Sequence, residues 1–483
     1  MLCRSGESAE DRGLNMLSIS EGRFAHADDG CLSELDQLLS EPLSSVRDRE
    51  GSAFDKLLAG CGNRLVLFGA GNLGRKVLQS VRSIGVEPLA FADNRIGGAR
   101  RKQGERRRET RGTEEERRRA DRRTGADRRR EEPCLGATAD GVESSAPTLG
   151  SPDLLPELSP ELSHQQVMGL PVLSPKDAAA RYGTSALFVV TIWSLGHFYP
   201  KTRAQLESLG CTHVESTASL RWKFADQLLP DFCQDLPHKL YEQAAEVRKA
   251  ASLWADDLSR REYLNHVRWR ALGDQDALGP PVEEESYFLD SLYRIENHEV
   301  FVDCGAYTGD TAEQVIRRNA AFSKIVAIEA DPQNFDRLTK WIGTLAPSVA
   351  SKIDALNVAV AAKRGKLRFQ AGGGEGAKLA ADGNVVVDCV PIDELATEAA
   401  PTFIKMDIEG AELDALEGAR RSIQTHRPIL SICVYHKQND LWRIPLFIHT
   451  LVEDYRLFLR PHDVDGWQLV CYAVPANRLR SAA

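Results

Sequence analysis

The sequence predicts an α/β protein with two Rossmann-like, doubly wound sheets joined by a helical bridge, and three observations lead there. From Val300 to Asp331 a short apolar strand, a glycine turn, a helix and a second strand ending in an acid follow one another. The same succession occurs earlier, from Arg64 to Asp93, with G-x-G-x-x-G at its turn. Between them, roughly Ser219 to Asn297, apolar residues such as Leu253, Trp254, Leu258 and Leu264 recur at three- and four-residue spacing. At 483 residues the chain exceeds what a single core supports, and 42% hydrophobic residues suffice for two or three. The expected division is a helical, partly disordered segment over 1–60, a first unit over 61–218, the bridge over 219–296 and a second unit over 297–483.

In the first unit, Arg64 to Phe68 reads as a strand, and Gly69-Ala70-Gly71-Asn72-Leu73-Gly74 opens a helix. A second strand, Pro88 to Ala92, ends at Asp93. In that context Gly69, Gly71 and Gly74 allow the backbone close to a pyrophosphate and Asp93 meets a ribose, so NAD or a nucleotide sugar is the ligand to test. A turn kept for packing is the alternative. Leu170-Pro171-Val172, Ala186 to Ile192 and His213 to Glu215 supply further strands, with a helix from Lys176 to Tyr182. Trp193, Ser194, His197 and Tyr199 follow the Ala186 strand and read as an ordinary edge or as a pocket wall. None of the ten tyrosines is followed four residues on by Lys, the pair a short-chain dehydrogenase or epimerase uses as its base, so an oxidoreductase is only the second enzyme class.

A charged insert interrupts this unit, placed at 96–168. Arg100 to Glu132 carries 15 basic and 9 acidic side chains with almost nothing apolar, and a Pro/Ser/Gly-rich tract continues to Ser163. It reads as a disordered, solvated insertion; the sharper reading is an arm for nucleic acid. A net charge of −9 argues against generic nucleic-acid binding by the whole protein. The ten cysteines are scattered without metal or redox spacing, which predicts reduced thiols and no metal site. No signal-like segment and no apolar run of membrane-spanning length occurs, so the expectation is a cytoplasmic protein without a membrane span.

In the second unit, Val300-Phe301-Val302 leads into Asp303-Cys304-Gly305-Ala306-Tyr307-Thr308-Gly309 at the carboxyl end of a central strand. Asp310 and Glu313 have capping-box spacing, and the strand from Lys324 to Ile328 delivers Glu329 about 20 residues past the turn, where an acid pairs with ribose hydroxyls. Phe403 to Met406 runs into Asp407 and Glu409, which sit at the same sheet edge as Asp303 and Glu329 with only Lys405 beside them. Phosphates favour Lys, Arg and free N–H groups; an acidic pocket suits a cationic ligand with a free ribose. S-adenosyl-L-methionine is such a ligand.

The segments VDCGAYTGDT, IEADPQNF, LNVAV, FIKMDIEGAELDALEGA and RPILSICVYH, in this order and spacing, resemble FkbM-type class I methyltransferases over roughly residues 285 to 475. The resemblance implies a class I methyltransferase fold and S-adenosylmethionine-dependent methylation of a hydroxyl on a sugar, glycan or polyketide-like acceptor. Asp303, Gly305 and Gly309 would line the methionine part of the cofactor and Glu329 would hold the ribose. Tyr307 departs from the glycine that many class I enzymes have there. Asn357 contacts adenine or caps a turn. For proton removal the candidates are Asp407, Glu409 and His436, set against plain ion pairing for each. Tyr287 and Phe288 are core residues or a lid over the acceptor. Asp331-Pro332 reads as a helix start, Gly372 to Gly376 as a mobile loop, Asp388 and Asp393 as turn residues. The non-enzyme reading is a nucleotide-sugar-binding or interaction protein, and the oligomeric state stays open.

Overall fold

A computed structural model describes residues 29–96, 166–318, 321–370, 378–379, 383, 385–395 and 400–480. The charged tract from Arg100 to Ser163 and the Gly372 to Gly376 loop lie outside them. The first unit resumes at Gln166, earlier than the sequence suggests, because Gln166–Val167 already pairs with its neighbour.

The first unit is a six-stranded sheet made of β1 (Leu65–Phe68), β2 (Ala90–Ala92), β3 (Gln166–Val167), β4 (Leu170–Leu173), β5 (Leu187–Val190) and β6 (Val214–Glu215). Its order is β3-β4-β2-β1-β5-β6, parallel except at the β3-β4 edge. β1 is apolar at every position because both its faces are covered. Leu65 and Leu67 pack with Val77, Leu78 and Val81 of the helix Asn72–Ser83, while Val66 and Phe68 pack with Ala178, Ala179 and Leu206 on the other side. The chain builds outward from β1 to β2 and β4, then crosses back to β5, so the crevice at the carboxyl ends of β1 and β5 is a topological switch point.

The second unit repeats this logic with β7 (Val300–Cys304), β8 (Lys324–Ile328), β9 (Ile353–Leu356), β10 (Ala359–Val360), β11 (Gly365–Gln370), β12 (Lys378–Leu379), β13 (Val385–Val390), β14 (Phe403–Met406), β15 (Ile429–Cys433), β16 (Arg456–Pro461) and β17 (Leu469–Val474). Seven of these form the sheet β16-β17-β15-β14-β7-β8-β9, with β17 antiparallel to both neighbours and the other pairs parallel. β10 to β13 form a separate small sheet. The switch point lies between β7 and β14, which places the turns after Cys304 and Met406 side by side. Asp331 caps its helix as the sequence suggests, accepting the N–H groups of Gln333 and Asn334 with Pro332 behind it.

Four local expectations are corrected. Asp310 is the first residue of its helix, and its side chain lines a cavity. Asp388 sits inside β13, paired with Lys366, and Asp393 accepts the N–H groups of Arg421 and Ser422 at the start of the helix Arg420–His426. The bridge is helical only to Leu272, where Gly273 takes φ 71° and closes the helix Asp257–Leu272. Beyond the short turn Gln275–Ala277 no regular element forms before Val300, consistent with Gly279-Pro280-Pro281, and Leu258 faces solvent. The bridge is moreover no mere connector: Leu240, Trp254, Tyr263 and Val267 belong to the same core as β7, β14, β15 and β17. Among the described residues eight cysteines are buried, and no helix is long and apolar enough to cross a membrane.

Candidate functional site

The carboxyl ends of both sheets open onto one cavity of about 830 Å³. The bridge lines it with Tyr287 and the second unit with Gly305, Tyr307, Asp310, Glu329, Lys405, Asp407, Glu409, Tyr435 and Trp467. Asn72, Trp193, Ser194, Leu195 and Phe232 line it as well.

At the β7 turn, Gly305 has φ 81°, and a Cβ there would stand 2.0 Å from the Asp407 carbonyl oxygen. Only glycine lets the two switch-point turns touch. Glu329, at the end of β8, lines the cavity and accepts the N–H groups of Tyr307 (2.8 Å) and Asp331 (2.7 Å). Burial pushes its carboxyl up to about 7, partly offset by those N–H groups. Asp303 lies beneath the turn, fully buried, 3.1 Å from Lys405 Nζ. Burial raises Asp303 to about 6 against the pull of Lys405, while burial of Lys405 is outweighed by Asp303 and Asp407, which raise the ammonium and keep it charged. Lys405 Nζ donates to the Gly305 carbonyl and so holds the turn from below. Asp303, Gly309 and Asn357 do not line the cavity. Gly309 leaves room for the Trp341 ring, and Asn357 donates to the Glu329 carbonyl at 2.8 Å.

At the β14 turn, Asp407 faces the cavity and receives the Tyr287 hydroxyl at 2.8 Å and the Tyr435 hydroxyl at 3.3 Å. Behind it, His436 Nε2 stands 3.2 Å from Asp407 and Nδ1 stands 2.8 Å from the buried Glu412. Burial opposes charge on the imidazole, but Glu412 and Asp407 outweigh it and raise His436 well above its ordinary value. Burial alone would raise Asp407 too; the charged contact with His436 and the attraction of Lys405 hold it well below the usual carboxylate range. His436 does not itself line the cavity and stands behind Asp407, with its ring packed on Tyr435 and Phe232. Glu409 lines the cavity from the turn, with φ 57°. Glu412, Tyr435, Trp467 and Phe232 escaped the sequence reading. Tyr435 immediately precedes His436, and Glu412 falls in the same FIKMDIEGAELD segment as Asp407, the only signals that could have marked them.

The first unit's fingerprint turn reaches the same cavity through Asn72. Its glycines serve different ends: a Cβ at Gly74 would stand 2.0 Å from the Gly69 carbonyl and one at Gly69 would stand 2.5 Å from Ile192, whereas Gly71 has open space. Asp93 accepts the Ala70 N–H and pairs with Arg95, contacts that hold the turn itself. Among the described residues no cluster of three or more His, Cys, Asp or Glu has metal-holding geometry.

No curated protein matches this sequence. Among solved structures, the chain is similar to a methyltransferase FkbM from Methylobacillus flagellatus KT, at 21% identity over 92% of this chain and 98% of that one, with a TM-score of 0.62. Weaker likenesses reach a precorrin-6y C5,15-methyltransferase from Geobacter metallireducens (11% identity, 38% of this chain, 84% of that one, TM-score 0.24) and an Aeropyrum pernix fibrillarin in complex with S-adenosyl-L-methionine (10%, 37%, 67%, 0.23). The stretch from Asp303 to Asp463, which builds the acidic edge of the cavity, matches the methyltransferase FkbM domain, and over most of its length the chain shares its fold with a methyltransferase FkbM.

Proposed function

We propose that the chain is an S-adenosylmethionine-dependent methyltransferase acting on a hydroxyl of a sugar, glycan or related small molecule. The observation that carries this is the pairing of Gly305 with Glu329 and Asp407 on one cavity wall inside the matched domain. The residues fit the cofactor: Gly305 and Glu329 line the cavity, Glu329 has lone pairs left for ribose hydroxyls, and the carboxylates favour a cationic ligand. When bound, S-adenosylmethionine supplies an electrophilic methyl group on a sulfonium, open to in-line displacement by an oxygen.

The chain's part is alignment and proton handling. Asp407 is kept ionised by His436 and Lys405, and two tyrosine hydroxyls fix its direction. Its proton affinity is low, which suits a step in which the attacking hydroxyl becomes strongly acidic only as the new C–O bond forms; the proton then passes to Asp407 and on to solvent. His436 acts through Asp407 as a positioning residue, and Glu412 keeps the imidazole charged. Labelled S-adenosylmethionine incubated with a panel of nucleotide sugars and glycans tests the reading. Turnover is expected with at least one acceptor, reduced about 10²- to 10⁴-fold in Asp407→Asn with S-adenosylhomocysteine affinity retained. Failure of the unmutated protein to bind S-adenosylhomocysteine sinks it.

A further inference from the structure

A second cavity, of about 240 Å³, opens where the first unit meets the bridge. One glycine brings its lining together. Gly273 ends the helix Asp257–Leu272 with φ 71°, and a Cβ there would stand 2.6 Å from the Ala218 Cβ and 3.2 Å from the Trp222 ring. Only a bare backbone therefore lets the turn Asp274-Gln275-Asp276 lie against the start of the helix Ala218–Lys223, just past β6. That turn, Glu215 and Ser216 at the end of β6, and Tyr199 and Arg203 line the cavity. Most of the charges are matched: Arg203 pairs with Asp276 and Glu207, and Asp274 with Arg268. Two groups are left over. The Glu215 carboxylate makes no hydrogen bond or ion pair among the described residues, and neither does the side-chain amide of Gln275, a residue only 8% exposed. Burial raises the Glu215 carboxyl, and the attraction of Arg203 only partly offsets it.

We propose that this cavity binds a small primary amine, held by Glu215 and Gln275. A primary ammonium brings a positive charge for the unpaired carboxylate and three N–H donors for Glu215, the Gln275 amide oxygen and the Ser216 hydroxyl. Arg203, the one Lys or Arg in the lining, is already paired, which disfavours an anion. Among the described residues no three acids or histidines have metal-holding geometry, which favours an ammonium over a metal ion. The volume equals that of about eight waters and sets the size at a short amino alcohol or diamine. The site is separate from the acidic cavity of the second unit and stands without the methyltransferase reading. Its occupant ties β6 to the bridge. Tyr199, which lines the cavity, donates its N–H to the Asp465 carboxylate at 2.9 Å, so the tie adjoins the interlock in which Asp465 also holds the His197 ring and the Trp193 indole N–H.

Calorimetry on the full chain at neutral pH tests this with ethanolamine, with 1,4-diaminobutane and with ethylene glycol as the neutral counterpart of ethanolamine. At least one amine is expected to bind about tenfold more tightly than ethylene glycol and to raise the melting temperature. Glu215→Gln keeps the shape and removes the charge, and should weaken amine binding about tenfold. Gln275→Glu adds a charge and should tighten it about threefold, a gain that misfolding cannot produce. Calcium chloride at equal concentration should leave the amine in place. The proposal is overturned if neither amine binds, if ethylene glycol binds as tightly, if both variants bind amine as the unmutated chain does, or if calcium displaces it.

Discussion

Glu329 shows how far a single position can be read from sequence and where the reading stops. Its place after β8 was legible from spacing; its protonation was not, because burial depends on the whole surrounding turn. With its carboxyl raised from an ordinary 4.5 to about 7, the folded protein binds this proton more tightly than the unfolded chain does. The Glu329 contribution to stability is thus greatest below pH 4.5 and is lost as pH rises to about 7. Ribose hydroxyls favour the carboxylate, so cofactor affinity runs the other way. S-adenosylhomocysteine should bind about tenfold more weakly at pH 6 than at pH 8, and Glu329→Gln should bind weakly with a flat profile. Calorimetry across pH checks this, and an unchanged slope in the variant would remove Glu329 from the cofactor site. His436 was legible as a titratable group at a strand end, but its two acidic contacts were not. They turn a base candidate into a buried cation behind Asp407.

Elements were easier to read than their partners. β1, β5, β7 and β14 stood out as apolar runs because both faces of each are covered, and their helices followed from caps and periodicity. The stretch after Leu272 was misread because tertiary packing, not periodicity, holds Tyr287 and Phe288 in the core. Within the G-x-G-x-x-G turn, sequence alone cannot separate glycines that make room for a ligand from glycines that make room for the fold. The geometry separates them. Gly74→Ala drives a Cβ into the Gly69 carbonyl and should destabilise the protein by roughly 1–3 kcal/mol, whereas Gly71→Ala should stay within about 1 kcal/mol of the native chain. Urea unfolding measures both, and equal effects would mean that the turn relaxes differently from the geometry described.

For the whole molecule, the sequence suggested two separate crevices, one per sheet, and the structure has the switch points of both sheets facing a common cavity. Nothing local announces this, since Trp193 and its partner Asp465 are 272 residues apart. Asp465→Ala removes the acceptor for the Tyr199 N–H and the His197 ring and should cost roughly 1–3 kcal/mol. The variant should melt earlier yet keep its stabilisation by S-adenosylhomocysteine, because Asp465 holds Trp193, His197 and Tyr199 rather than the turns that carry Gly305 and Glu329. Loss of that ligand stabilisation in differential scanning fluorimetry would mean that the interlock also shapes the cofactor side.

The buried thiols add a property that neither sheet was built for. Cys61 and Cys211 sit in the first unit, and Cys304, Cys433 and Cys471 lie in the core of the second, with burial holding each thiol up and away from the reactive thiolate. Each is inert until its surroundings open, so the alkylation rate of each cysteine is a clock for the opening of its own unit. The chain thus carries built-in reporters, one set per sheet, that read by mass spectrometry whether the two halves breathe together or apart.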